Sequence, residues 1–165
     1  MMVLINMDSS YISMEPMKTR HASQLVKTYQ KMIDRLKACG INPEKQVLDK
    51  ECSAEFKKAI RDNQMTYELV PPDDHRRNIA ERAIQTAKSH VISVLCSCDP
   101  NFPMHLWDLL LPQMEIQLNL LRQSRTVPKV SAYAHHYDAY DHKAHPLAPL
   151  DTAVGYHMKP LTRAS

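Results

Sequence analysis

The sequence predicts an α/β fold in which an antiparallel strand pair is continued by parallel strands into one mixed sheet flanked by helices. Two short apolar runs near the start are separated only by a turn, and later strand-like runs alternate with segments of helical periodicity. Strands separated by helices pair in parallel through right-handed crossovers, so the first pair and the later strands have opposite habits.

Met2 to Met7 is apolar, Ser9-Ser10 reads as a turn, and Tyr11 to Glu15 alternates before Pro16, which describes a hairpin. From Ala22 the apolar residues recur at Leu25, Val26, Tyr29, Met32, Ile33 and Leu36, a helical period ended by Gly40. Gln46 to Asp49 is a short buried strand, and Ser53 caps a short helix carrying Phe56, Ala59 and Ile60. Thr66 to Val70 is another strand, followed by the polar loop Pro71 to Arg77. Ile79, Ala80, Ala83, Ile84, Ala87, Val91, Val94 and Leu95 mark a helix of about five turns. A last helical stretch runs from about Met104 to Arg122, and Pro112 should kink or split it. Residues 1–125 form the domain; residues 126–165, with four prolines and five histidines, form an extended arm that docks in part or not at all.

At 165 residues one core is expected, and 44% hydrophobic with 24% charged residues suits a globular chain. No apolar run reaches the ~18 to 20 residues of a membrane span, and the first residues lack a signal-peptide core. Cys39, Cys52, Cys96 and Cys98 match neither a zinc spacing nor a secreted disulfide framework, so they read as reduced intracellular thiols. The histidines of the arm fit no compact zinc ligand set. A net charge of +3 gives a weak overall field, so any polyanion site must come from local clustering.

Two acids carry the chemistry. Asp49 closes a strand, where ligands gather in such sheets, and Glu81 lies one turn into a helix that can pack beside it. Phosphodiester transfer needs an activated oxygen nucleophile and a stabilised leaving oxygen, which two Mg²⁺ ions about 3.5 to 4 Å apart supply when carboxylates hold them. The same residues also suit plainer roles. Asn78-Ile79-Ala80-Glu81 fits a helix-opening pattern in which the glutamate reaches back to the cap, and Asp49 fits a turn that ends a strand.

Val47-Leu48-Asp49 with Phe56 seven residues on, then Tyr67-Glu68-Leu69-Val70-Pro71-Pro72, then His75-Arg76-Arg77-Asn78-Ile79-Ala80-Glu81-Arg82, resembles the second half of a retrotransposon or retroviral integrase catalytic core, the Asp-Asp-Glu family. Leu106-Trp107-Asp108 to Asn119 and Ser131-Ala132-Tyr133 continue the likeness, which covers about residues 1–135. It implies a ribonuclease H-like fold, with Asp49 and Glu81 as catalytic residues and metal ligands for Mg²⁺ or Mn²⁺. The family's first Asp sits on a strand before the hairpin, so the resemblance implies a core that lacks its first strand, holds metal weakly and is catalytically impaired. Asp8, beside Ser9, reads as a turn residue, and Lys50-Glu51 stand where an Asn-Gly pair often follows the second Asp.

The resemblance also implies contacts to element-end and target DNA. Gln85 and Lys88 lie one and two turns from Glu81 on the same helix face, and Arg76, Arg77 and Arg82 add charge at the loop and helix start. Without it, that face reads as solvated. Trp107, Leu110, Met114, Leu118 and Leu121 exceed one apolar stripe, so the 104–122 helix either packs on the core or pairs subunits into a homodimer. The expected function is a DNA-binding polynucleotidyl transferase core from a retroelement, nuclear by family likeness alone. The alternatives are a non-catalytic helical interaction module and a non-functional relic of a transposable element.

Overall fold

A computed structural model of the chain describes residues 1–48, 52–70 and 79–148. Strand β1 (Met2–Ile5) pairs antiparallel with β2 (Ile12–Glu15), with Val3 opposite Met14 and Ile5 opposite Ile12. The turn between them is tied by Asn6, whose Oδ1 accepts the amides of Asp8 and Ser9 at 2.9 and 3.0 Å. Ser10 sits there at φ 60°, a strained conformation for a serine.

Helix α1 (Ala22–Ala38) buries Tyr29, Met32, Ile33 and Leu36 and ends at Gly40, whose φ of +77° lets Ile41 N–H reach back to the Leu36 carbonyl at 3.1 Å. Strand β3 (Lys45–Leu48) leads by way of α2 (Ala54–Asp62) into β4 (Thr66–Leu69), which pairs with it in parallel. The Ser53 hydroxyl accepts the Phe56 amide at 3.2 Å, the expected N-cap. Helix α3 (Ile79–Ser97) follows. The 104–122 stretch is split: Met104–Leu110 is a 3-10 helix and α4 (Leu111–Leu121) begins where Pro112 occupies its first turn, the one place a helix needs no amide there.

The architecture is the predicted mixed α/β one, with one refinement. Among the described residues the expected single sheet is two separate two-stranded pairs, β1 with β2 and β3 with β4. The pairs are joined through α1 instead. Met2 and Leu4 of β1, Leu48 of β3 and Tyr67 of β4 all pack on the cluster of Tyr29, Ile33, Leu36 and Ile60. The other face of β1 carries Val3 and Ile5 into a second cluster with Ile12, Met14, Ala87, Met114 and Leu118. A strand covered on both faces reads as a continuous apolar run, which is how Met2 to Ile5 appears.

Helix α4 also closes the outer edge of β2. Asn119 Oδ1 accepts the Ile12 amide at 2.8 Å, its Nδ2 donates to the Ile12 carbonyl at 2.8 Å, and Glu115 Oε2 accepts the Met14 amide at 2.6 Å. Two side chains thus stand in for a neighbouring strand. The arm begins with a short docked helix, α5 (Ala132–His136), whose Ala132 and His136 are buried. An isolated bridge between Gln123 and Ser131 holds its approach.

Candidate functional site

Helix α3 is placed by a stripe of small residues. Ala83, Ala87 and Val91 are buried at i, i+4 and i+8, so the helix lies close against the β1–β2 pair. His90 Nε2 donates to the Met114 carbonyl at 3.0 Å and ties α3 to α4, and burial holds its pKa below the usual histidine value. Rotated away from that stripe, Glu81, Gln85 and Lys88 share one exposed face, as their spacing predicts. The Met1 ammonium is pushed below its ordinary pKa by burial, then by repulsion from Arg20 and Lys88.

Arg82 leaves this group. At about 100° per residue it faces away from the Glu81 stripe, and with Ala83 and Thr86 it lines a cleft of about 420 Å³. The opposite wall brings Arg122 from the end of α4, Arg125 from the following loop, and Asn6 and Ser10 from the β1–β2 turn. Arg122 Nε donates to the Ser10 carbonyl at 3.2 Å. Neither Arg122 nor Arg125 was expected at a site, because three segments far apart in sequence supply the walls. A basic pair just after an apolar helix was the available signal.

Asp49 follows β3 directly, and Asp49, Arg76, Arg77 and the proposed cap Asn78 lie outside the described residues. Among the described residues no group of three or more His, Cys, Asp or Glu side chains is arranged to hold a metal ion. Glu81 is the one described member of the acid pair, an exposed hard oxygen donor suited in type to Mg²⁺. Asp8 is exposed in the β1–β2 turn, as expected of a turn residue. No described helix is long and apolar enough to cross a membrane.

The surplus of apolar residues on the 104–122 segment divides. Met114 and Leu118 are core, and Trp107 and Leu110 pack against it. Met104, Leu109 and Leu121 stay 57%, 69% and 82% exposed.

A hairpin, a parallel pair crossed over by α2, and a long helix packed on the hairpin make a mixed α/β fold of the integrase catalytic core type. Two solved structures show the likeness. The catalytic core domain of BIV integrase superposes with a TM-score of 0.59 at 14% identity, covering 81% of this chain and 82% of that one. A chain of the simian T-cell lymphotropic virus intasome in complex with PP2A regulatory subunit B56 gamma gives a TM-score of 0.65 at 18% identity, covering 99% of this chain and 53% of that one. The present chain thus spans about half the length of the second. No family model and no curated protein matches it by sequence.

Proposed function

We propose that this chain is the DNA-binding core of an integration-related polynucleotidyl transferase from a retroelement, with Asp49 and Glu81 as its acids. The observation that carries the reading is the exposed Glu81–Gln85–Lys88 face of α3 on an integrase-type fold. A carboxylate and a cation on one accessible helix face suit a metal-assisted reaction on a phosphate backbone: the acid holds the cation, and the lysine and glutamine hold the strand. Arg76 and Arg77 belong to the same proposal as phosphate contacts. When bound, a divalent ion would neutralise charge at the phosphorus and stabilise the leaving oxygen. The chain should bind both DNA and a divalent ion through these residues.

Lys88→Ala should lower affinity for a labelled duplex and make the plot of log affinity against log salt shallower by about 0.9, the loss of one phosphate contact. Mg²⁺ or Mn²⁺ should raise the melting temperature of the wild type and not of Glu81→Gln. Binding indifferent to Lys88, with melting indifferent to metal, would return α3 to a solvated face and favour the interaction-module reading.

Leu109 and Leu121 favour self-association as part of the same proposal. Sedimentation of the wild type should show a dimer that Leu109→Glu or Leu121→Glu converts to monomer, since a charge cannot enter an apolar interface unpaired. A wild type that sediments as a monomer at 100 µM or more, a concentration on the order of that at which weak contacts form, would remove this element.

A further inference from the structure

We propose that the cleft between the β1–β2 turn, the start of α3 and the end of α4 is a second nucleic-acid contact, in which Arg82, Arg122 and Arg125 hold a backbone phosphate. The inference rests on the DNA-binding reading but moves Arg82 to another side of α3 and joins it to Arg122 and Arg125, which that reading does not use.

Three guanidinium-bearing residues line one cleft, and no acidic residue is among the described residues lining it. None of the three makes an ion pair with another described residue. Three like charges gathered with no ion pair to an acid among the described residues repel one another, and a bound anion relieves that repulsion. Guanidinium groups match phosphate oxygens with paired donors, and Asn6, Ser10 and Thr86 add neutral polar groups to the walls.

The walls are also held in place before any ligand arrives. Asn6 is fixed by its turn, and Arg122 is anchored on Ser10. Arg125 sits in a loop tied at both ends: the Ser124 amide donates to the Val130 carbonyl at 3.1 Å, and the Thr126 amide and hydroxyl both reach the Asp8 carbonyl at 3.2 Å. Burial pushes the Arg122 pKa below its ordinary value, so a bound anion would favour its charged form. The plainer account makes Arg122 a cation at a helix C-terminus and Arg125 a solvated surface residue. It does not explain why Arg82, from another helix, shares their cleft. Ligand choice follows from charge: three guanidinium groups with neutral polar groups beside them suit a backbone phosphate, on a protein read as DNA-binding.

The test compares Arg82→Ala/Arg125→Ala with Lys88→Ala in the full 165-residue chain, binding a fluorescein-labelled DNA duplex over a salt series. Arg122 is left in place because it holds the turn. The double variant should melt as the wild type does, bind at least 10-fold more weakly at 0.1 M salt, and lose about 2 from the salt slope. Inorganic phosphate at millimolar concentration should compete in the wild type and not in the double variant. If Lys88→Ala weakens binding and the double variant does not, this inference fails while the proposed function stands. If inorganic phosphate binds the cleft but the duplex ignores both arginines, the cleft is a small-anion site and the inference is overturned. A wild type that binds no duplex overturns both.

Discussion

Asn119→Ala is expected to destabilise the protein by roughly 3 to 5 kcal/mol. The side chain is completely buried and makes three hydrogen bonds of 2.8 Å: from the Ile12 amide, to the Ile12 carbonyl and to the Glu115 carbonyl. Truncation leaves the Ile12 amide and carbonyl facing an apolar void, and each unsatisfied buried group costs about 1 to 3 kcal/mol. The void adds a smaller amount. The loss should appear as a lower urea midpoint with unchanged slope, and the Ile12 amide should lose hydrogen-exchange protection before the amides of α1. Asn119→Asp should be no milder, because it removes the donor and places a second negative charge beside Glu115. A loss below about 1 kcal/mol for the alanine variant would mean that water replaces the side chain at the strand edge.

This edge also shows what sequence could and could not convey. Element order was legible because each helix and strand writes its own period: Ala83, Ala87 and Val91 mark the inner stripe of α3, and Pro112 marks the break before α4. The exposed Glu81–Gln85–Lys88 face follows from the same arithmetic. Glu115 and Asn119 are different. Along α4 they read as ordinary polar positions, yet they are 4% and 0% exposed because they meet backbone groups more than 100 positions away. A polar residue that replaces a neighbouring strand has no local signature. The cleft of Arg82, Arg122 and Arg125 was hidden for a related reason, since turn, helix start and loop each contribute one or two residues. The division of the sheet into two pairs was not legible either, because a strand's period reports its faces and not which edges find partners.

Acidification should weaken the fold through His136. Its ring stacks on Tyr11 at 4.1 Å with planes 17° apart, it is 5% exposed, and its buried Nδ1 has no hydrogen-bond partner among the described residues. Burial, then repulsion from Arg35 and His135, pushes its pKa down to about 4. The unfolded chain takes up a proton near pH 6.5 and the folded one near pH 4, so between those values the unfolded state binds more protons and stability falls as pH falls. The full loss is about 3 kcal/mol, with roughly 2 kcal/mol of it between pH 7 and pH 5. Glu115 acts in the opposite sense. Burial raises its pKa despite Arg35 and the hydrogen bonds from Met14 and Tyr11, so just above pH 4.5 the folded state holds the extra proton and acid favours folding. His136→Phe separates the two, because phenylalanine keeps a ring against Tyr11 and cannot titrate. Urea midpoints at pH 7 and pH 5 should fall for the wild type and stay level or rise for the variant. An equal fall in both would place the acid sensitivity elsewhere and leave His136 as packing alone.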